Sequence, residues 1–265
     1  MKRFVTQIIA DYISGKKIED FLPEVIDKAK YCILDSIGCM LAGIKTKEGK
    51  ILLKSLLNRE IGFSSILGFP QRTNLFNAVY INSTSVNILD FDDNYIGHPG
   101  ATIIPIALNI AELLEITGKE LITAIIVAYE VSIRIGICLR SEEERKYTLG
   151  HGTWQVFGST SVASKLLQLK NECIQNAFGI AGANAPVPSV MKTTYGSEGP
   201  SMAKNNFGIA SIAGLQSGLL AKNGFTGPKD IFDGETAFWR MIGKKRNRLD
   251  NKLLRDIERN FKILR

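Results

Sequence analysis

Groups that can move protons are concentrated in one stretch of this chain: Asp90-Phe-Asp-Asp-Asn-Tyr-Ile-Gly-His98-Pro-Gly-Ala-Thr-Ile-Ile-Pro105. Asp90, Asp92, Asp93 and one of the chain's two histidines fall within a few residues, between apolar runs at 79–89 and 103–114. Carboxylates crowded against apolar surface raise one another's pKa, and a neighbouring imidazole can then exchange protons near neutral pH. A general acid/base site is built that way. The same residue types also make an ordinary Asp-rich helix cap and turn, and on this stretch alone that reading is the better supported. Asp90, Asp92, Asp93 and His98 could also offer donors to a divalent metal. The other histidine is distant in sequence, so metal-free acid/base chemistry ranks above a metal site and no metal is assigned.

That second histidine lies in Gly150-His151-Gly-Thr-Trp-Gln-Val-Phe-Gly158. His98 and His151 each stand beside glycine or proline at a predicted loop–helix junction; either alone reads as structural before catalytic, and the two together point to one site. Lys204 follows a loop rich in Pro, Gly, Ser and Thr and precedes a small-residue helix. A lysine there can clamp a substrate carboxylate as a point charge, or simply be solvated. There is no GxxxxGK[ST], no GxGxxG after a strand and no GxSxG, so nucleotide-binding and serine-hydrolase readings have no support.

Helices must position these groups. Ile26, Ala29, Ile33, Ile37 and Met40 recur at helical spacing, with Pro23 near the start. Residues 51–57 form a shorter amphipathic piece, 61–68 the best extended candidate, and 74–89 a helix ending at the Asp cluster. Pro105 is expected in the first turn of the next helix. Residues 121–137 are apolar on nearly every face and predict a central buried helix; Glu130 and Arg134 interrupt them, so no membrane span is expected. Further helices are expected over 158–164, 173–183 and 208–221. Asp90, His98, His151 and Lys204 all fall at helix ends, and a bundle that gathers such ends on one face would bring the four together.

Composition is ordinary for a globular chain of 265 residues, 45% hydrophobic and 22% charged. The net charge of +7 suggests nucleic acid, but residues 244–265 hold nine Lys/Arg against three Asp/Glu, leaving only +1 for the rest. No nucleic-acid groove is therefore expected. Leu249, Leu253, Ile257, Phe261 and Leu264 make that tail an amphipathic helix with a basic face. Cys32, Cys39, Cys138 and Cys173 lack CxxC spacing and read as reduced core residues. No N-terminal segment has signal-peptide character, and a cytoplasmic location is expected.

Seven stretches together resemble the MmgE/PrpD family, which includes 2-methylcitrate dehydratase, cis-aconitate decarboxylase and iminodisuccinate epimerase. They are Cys32-Ile-Leu-Asp-Ser-Ile-Gly-Cys-Met-Leu-Ala-Gly43, Asp90-Phe-Asp-Asp93, His98-Pro-Gly-Ala-Thr-Ile-Ile-Pro105, Gly118-Lys-Glu-Leu-Ile-Thr-Ala-Ile-Ile-Val-Ala-Tyr-Glu130, His151-Gly-Thr-Trp-Gln-Val-Phe-Gly158, Ser201-Met-Ala-Lys204 and Gly224-Phe-Thr-Gly-Pro228. They follow the family's order and span nearly the whole chain. The resemblance implies an all-α helical domain, here residues 1–243, followed in the family by a smaller α+β domain missing from this chain. Residues 244–265 would then be a basic amphipathic helix leading toward that absent domain, which a separate chain could supply. The resemblance also implies that Asp90, His98, His151 and Lys204 match the family's acid/base and carboxylate-binding positions, with Asn94 and Lys204 touching substrate. The implied activity is a lyase reaction on a small polycarboxylate such as 2-methylcitrate, by proton abstraction next to a carboxylate and loss of water. Decarboxylation of the cis-aconitate type and epimerisation of the iminodisuccinate type are the alternatives. A homodimer is implied, and no metal or organic cofactor. A non-catalytic helical dimerisation module is the reading of another class.

Overall fold

A computed structural model of the protein describes residues 3–57, 62–139, 150–187, 190–196, 198–204, 207–243 and 256–265. The expected all-α class holds. Helices α1 (Val5–Gly15), α2 (Pro23–Gly43) and α3 (Lys47–Leu56) lead into a minimal antiparallel pair, β1 (Ser64–Ser65) and β2 (Arg72–Thr73). Then come α4 (Leu75–Asn87), α5 (Pro99–Leu114), α6 (Gly118–Leu139), α7 (Gly152–Leu166), α8 (Asn171–Ala183), the short α9 (Val190–Thr193), α10 (Phe207–Lys222) and α11 (Phe238–Met241).

Local chemistry sets the helix starts. Pro23 and Pro99 open α2 and α5, where a missing N–H costs nothing. Thr46 caps α3 by accepting from the Gly49 amide at 3.1 Å, and Asn74 caps α4 by accepting from Asn77 at 2.9 Å. Because α5 begins at Pro99, Pro105 lies inside that helix and not in its first turn. It therefore cannot donate to the Ala101 carbonyl, a loss that the apolar packing of this mostly buried helix offsets.

The centre is α6 packed on α7, flanked by α5 and α10. Nearly every residue of α7 is buried, from Gly152 through Ser164. Gly158 lets it approach α6: a Cβ there would lie 2.7 Å from that of Ser132. By length and apolarity α6 does reach the size of a membrane span, contrary to the sequence expectation, but 83% of its most apolar window is buried inside this fold. A cluster of Phe157, Phe178, Phe232 and Phe238, with ring centroids 4.8–6.3 Å apart, ties the 228–241 segment back onto α7 and α8. Cys32, Cys39 and Cys138 are buried free thiols and Cys173 is half-buried.

Of the predicted basic helix, residues 244–255, including Leu249 and Leu253, lie outside the described residues. The rest forms two 3-10 turns, Asp256–Glu258 and Lys262–Leu264, in place of one continuous helix. Ile257, Phe261 and Ile263 are buried against the core, with Phe261 edge-on to Phe21 at 5.7 Å. A buried pair on α6 holds this segment. Glu130 accepts from the Ile263 amide at 2.9 Å, and Arg134 donates to the carbonyls of Asp256 (3.0 Å) and Asn260 (2.8 Å).

Candidate active site

The two histidines occupy the N-cap positions of α5 and α7, and neither side chain caps its helix. The imidazoles meet instead, with ring centroids 5.6 Å apart and planes tilted by 30°. His98 is buried and packs on Phe207 of α10 at 5.7 Å; His151 is half-buried and packs on Trp154 at 5.2 Å. Gln155, one turn along α7 from His151, locks the two helix starts together. It accepts from the His98 amide (3.1 Å) and donates to the His98 carbonyl and to Thr102.

Carboxylates face both ring nitrogens of His98. Asp92, whose side chain is fully buried, places Oδ2 3.2 Å from Nδ1, at an angle unsuited to a hydrogen bond. Asp92 is oriented by the Asn87 amide, which donates to its other oxygen at 2.7 Å. Asp90 Oδ1 lies 3.6 Å from Nε2, and its Oδ2 lies 2.5 Å from the Lys204 ammonium. Burial pushes the Asp90 carboxyl up, but the hydrogen bond and charge of Lys204, the His98 ring and Asn87 together outweigh it and hold Asp90 below the usual carboxylate range. Asp90 is about half exposed and Lys204 less so, which marks the open side of the cluster.

The loop carrying these groups is backed by unusual geometry. Asp90 and Ile96 both have left-handed backbones (φ 52° and 55°), rare for a β-branched residue such as Ile96. The Trp154 indole donates to the Ile96 carbonyl at 3.1 Å and helps hold it there. Gly97 (φ 115°) has no room for a Cβ, which would lie 2.7 Å from Gln155 Oε1. Beneath the loop, the Asp93 carboxyl accepts from the Gly100 amide at 3.1 Å beside Tyr129, Ser36 and Cys32. Burial, reinforced by Asp92, pushes Asp93 up to about 7 against the opposing Tyr129 hydroxyl and Gly100 amide. Burial likewise lifts the Cys32 thiol to about 12.

The structure thus brings Asp90, His98, His151 and Lys204 into one cluster, although they span most of the sequence. Asn94 is exposed on the α4–α5 loop, outside this contact set. Sequence reasoning missed the buried role of Asp92 and the part played by Gln155. Asp92 was visible in the Asp run, and Gln155 stands four residues after His151, on the same helical face. Asp90, Asp92 and His98 present donor atoms within 4.8 Å of one another, a set chemically suited to a divalent cation. The Lys204 ammonium already supplies positive charge on the Asp90 side of that set.

An all-α scaffold with paired imidazoles, flanking carboxylates and a lysine defines a candidate acid/base centre. Residues 7–249 match the MmgE/PrpD N-terminal domain, and the chain belongs to the MmgE/PrpD family. It is 27% identical over 244 residues to a cis-aconitate decarboxylase-like protein of Aspergillus oryzae, covering 86% of this chain and 49% of that protein. It is 28% identical over 248 residues to the cis-aconitate decarboxylase of Aspergillus terreus, covering 88% of this chain and 48% of the relative. To the 2-methylcitrate dehydratase of Escherichia coli it is 26% identical over 189 residues, 65% of this chain and 38% of the relative. The chain spans about half the length of these curated relatives.

Proposed function

We propose that this chain is the helical, acid/base-bearing part of a lyase acting on a small polycarboxylate. The observation that carries the reading is the His98–His151 pair set beside an Asp90–Lys204 ion pair. His98 is buried between two carboxylates, so its role is to hold and pass a proton within the cluster. His151, half-buried beside it, is the imidazole with room to meet substrate. Lys204 attracts a substrate carboxylate and stabilises the negative charge that develops on the adjacent carbon when a proton or CO2 leaves. Asp90 holds the ammonium in place and keeps it beside the imidazoles. Asn94, exposed on the same loop, is proposed as a hydrogen-bond partner for substrate.

The first reaction on this reading is dehydration of the 2-methylcitrate type. One histidine removes a C–H proton, the C–O bond breaks, and the leaving hydroxide takes a proton from the other. The second is decarboxylation, in which a C–C bond breaks to release CO2 and the carbon is reprotonated. The Aspergillus relatives of the decarboxylase type support it, as the bacterial dehydratase supports the first. Both use the same imidazole pair and cation.

Because the chain has only two histidines, their ring C–H signals in an NMR spectrum report the site directly. Titration with cis-aconitate and with citrate is expected to shift both signals, with affinity weakened roughly tenfold in Lys204→Met, as expected for loss of one ion pair. Unmoved histidine signals up to saturating tricarboxylate would remove the basis of the reading.

A further inference from the structure

We propose that a second site, remote from the histidine pair, binds a small organic anion with an apolar body. A cavity of about 510 Å³ lies at the opposite end of α7, among the end of α1, the start of α6, the end of α7 and α8. With His151 at one end of this 15-residue helix and Ser164–Leu166 at the other, the two places are roughly 20 Å apart at 1.5 Å per residue.

Three features fix the ligand's chemistry. The floor is apolar: Ile13, Leu166, Leu169 and Ile174 line it and are all buried. Set into that floor is Ser164, fully buried, with a hydroxyl that has no hydrogen-bond partner among the described residues; such a group costs about 1–3 kcal/mol unless something meets it. The walls carry Lys16, Lys17, Lys119 and Lys165 against Glu19 and Glu120. Glu120 is already engaged at the start of α6, where it accepts from the Thr117 amide (3.1 Å) and hydroxyl (2.6 Å).

Lys165 is the central cation. Its ammonium donates to the carbonyls of Ser14 (3.2 Å) and Lys16 (2.6 Å) at the end of α1. Both partners are neutral, and among the described residues no carboxylate lies within ion-pairing distance of it. Burial pushes this lysine below its usual range, outweighing the Asp20 carboxylate, which acts from beyond ion-pairing distance to raise it, while Lys17 adds to the fall. An arriving anion would supply counter-charge, with the N-terminal end of the 22-residue α6 adding to the positive field. An apolar tail would cover the floor, and the anionic head or its attached oxygen would meet Ser164.

The test is a calorimetric and amide-NMR titration of the whole chain with hexanoate and hexyl phosphate, with hexylamine and hexanol as controls. Both anions are expected to bind and to shift the amides of Thr123, Ser164 and Leu169, and hexylamine is expected not to bind. Which anion binds more tightly tells whether the site prefers carboxylate or phosphate. Lys119→Glu, an exposed change that leaves the core untouched, is expected to weaken hexanoate roughly tenfold by replacing attraction with repulsion. Lys204→Met, at the histidine site, is expected to leave this binding unchanged. The proposal is overturned if neither anion binds at millimolar concentration, if hexanol binds as well as hexanoate, if Lys119→Glu has no effect, or if Lys204→Met abolishes the signal.

Discussion

The pair Glu130–Arg134, buried in α6, gives a prediction whose size follows from the structure. Both side chains are essentially inaccessible, yet burial outweighs Arg134 and the Ile263 amide and lifts the Glu130 carboxyl from 4.5 to about 7. A carboxyl whose pKa is higher folded than unfolded binds its proton more tightly in the native state. Its stabilising contribution is complete below pH 4.5 and is lost as pH rises through about 7. Between pH 5 and pH 8 that loss comes to roughly 2.5 kcal/mol. Glu130→Gln keeps an acceptor for the Ile263 amide and cannot ionise, so it should lack this part of the pH dependence. Asp93, pushed up to about 7 as well, acts in the same direction and remains in the variant. The readout is therefore the difference between the two slopes, from urea unfolding of wild type and variant at pH 5 and pH 8. If Arg134 instead keeps Glu130 ionised throughout, the slopes will coincide, and the variant will lose about 3–5 kcal/mol at both pH values because a buried guanidinium has been stripped of its partner. That result would refute the reasoning.

Gly100→Ala should cost about 1–3 kcal/mol in unfolding free energy, since the new Cβ would lie 2.4 Å from Asp93 Oδ1 and 2.8 Å from the Ser36 and Tyr129 hydroxyls; an unchanged Tm would show that the pocket under α5 is looser than described. Because Lys204 provides the cation beside Asp90, tricarboxylate binding should be insensitive to EDTA, and saturating Zn2+ should compete with it; a strict requirement for added metal would reverse that assignment. Tyr31, Leu34 and Leu41 form an exposed apolar stripe on α2, and we propose it as the face through which the homodimer implied by the family resemblance would form. Leu34→Asp should then halve the mass seen by light scattering, and an unaltered mass would rule that face out.

Much of this architecture was legible because helices announce themselves in apolar spacing. The runs Ile26–Met40 and 121–137 fall inside α2 and α6, and the Asn74 cap marks the start of α4 within a residue. Pro105 misled because two prolines stand near the α5 start and only Pro99 occupies it; tertiary burial lets the helix continue through the second. Within 256–265 two short turns stand where the stripe predicted helix, for a different reason. Ile257 and Phe261 do reach the core, but Arg134 and Glu130 hold their backbone by its carbonyls and an amide, and those contacts favour short turns over one continuous helix. At the site, residue types identified the histidines and Lys204. Their convergence depended on how α5, α7 and α10 pack, which no local spacing encodes. Gln155 shares a helical face with His151, but its part was hidden for the same reason: its partners His98 and Thr102 lie 57 and 53 residues away.

The most direct test of the site is turnover. The chain should be assayed alone and together with a second family domain supplied in trans, using 2-methylcitrate, cis-aconitate, citrate and iminodisuccinate in D2O, with NMR following both product and deuterium incorporation at the carbon beside the carboxylate. The arrangement of His98, His151, Asp90 and Lys204 predicts exchange or turnover of at least one of these substrates in the combined sample, lowered by at least about a hundredfold in His151→Asn, the scale of a lost general acid or base. Turnover that survives His151→Asn and Lys204→Met undiminished would contradict the assignment of the active site to this cluster.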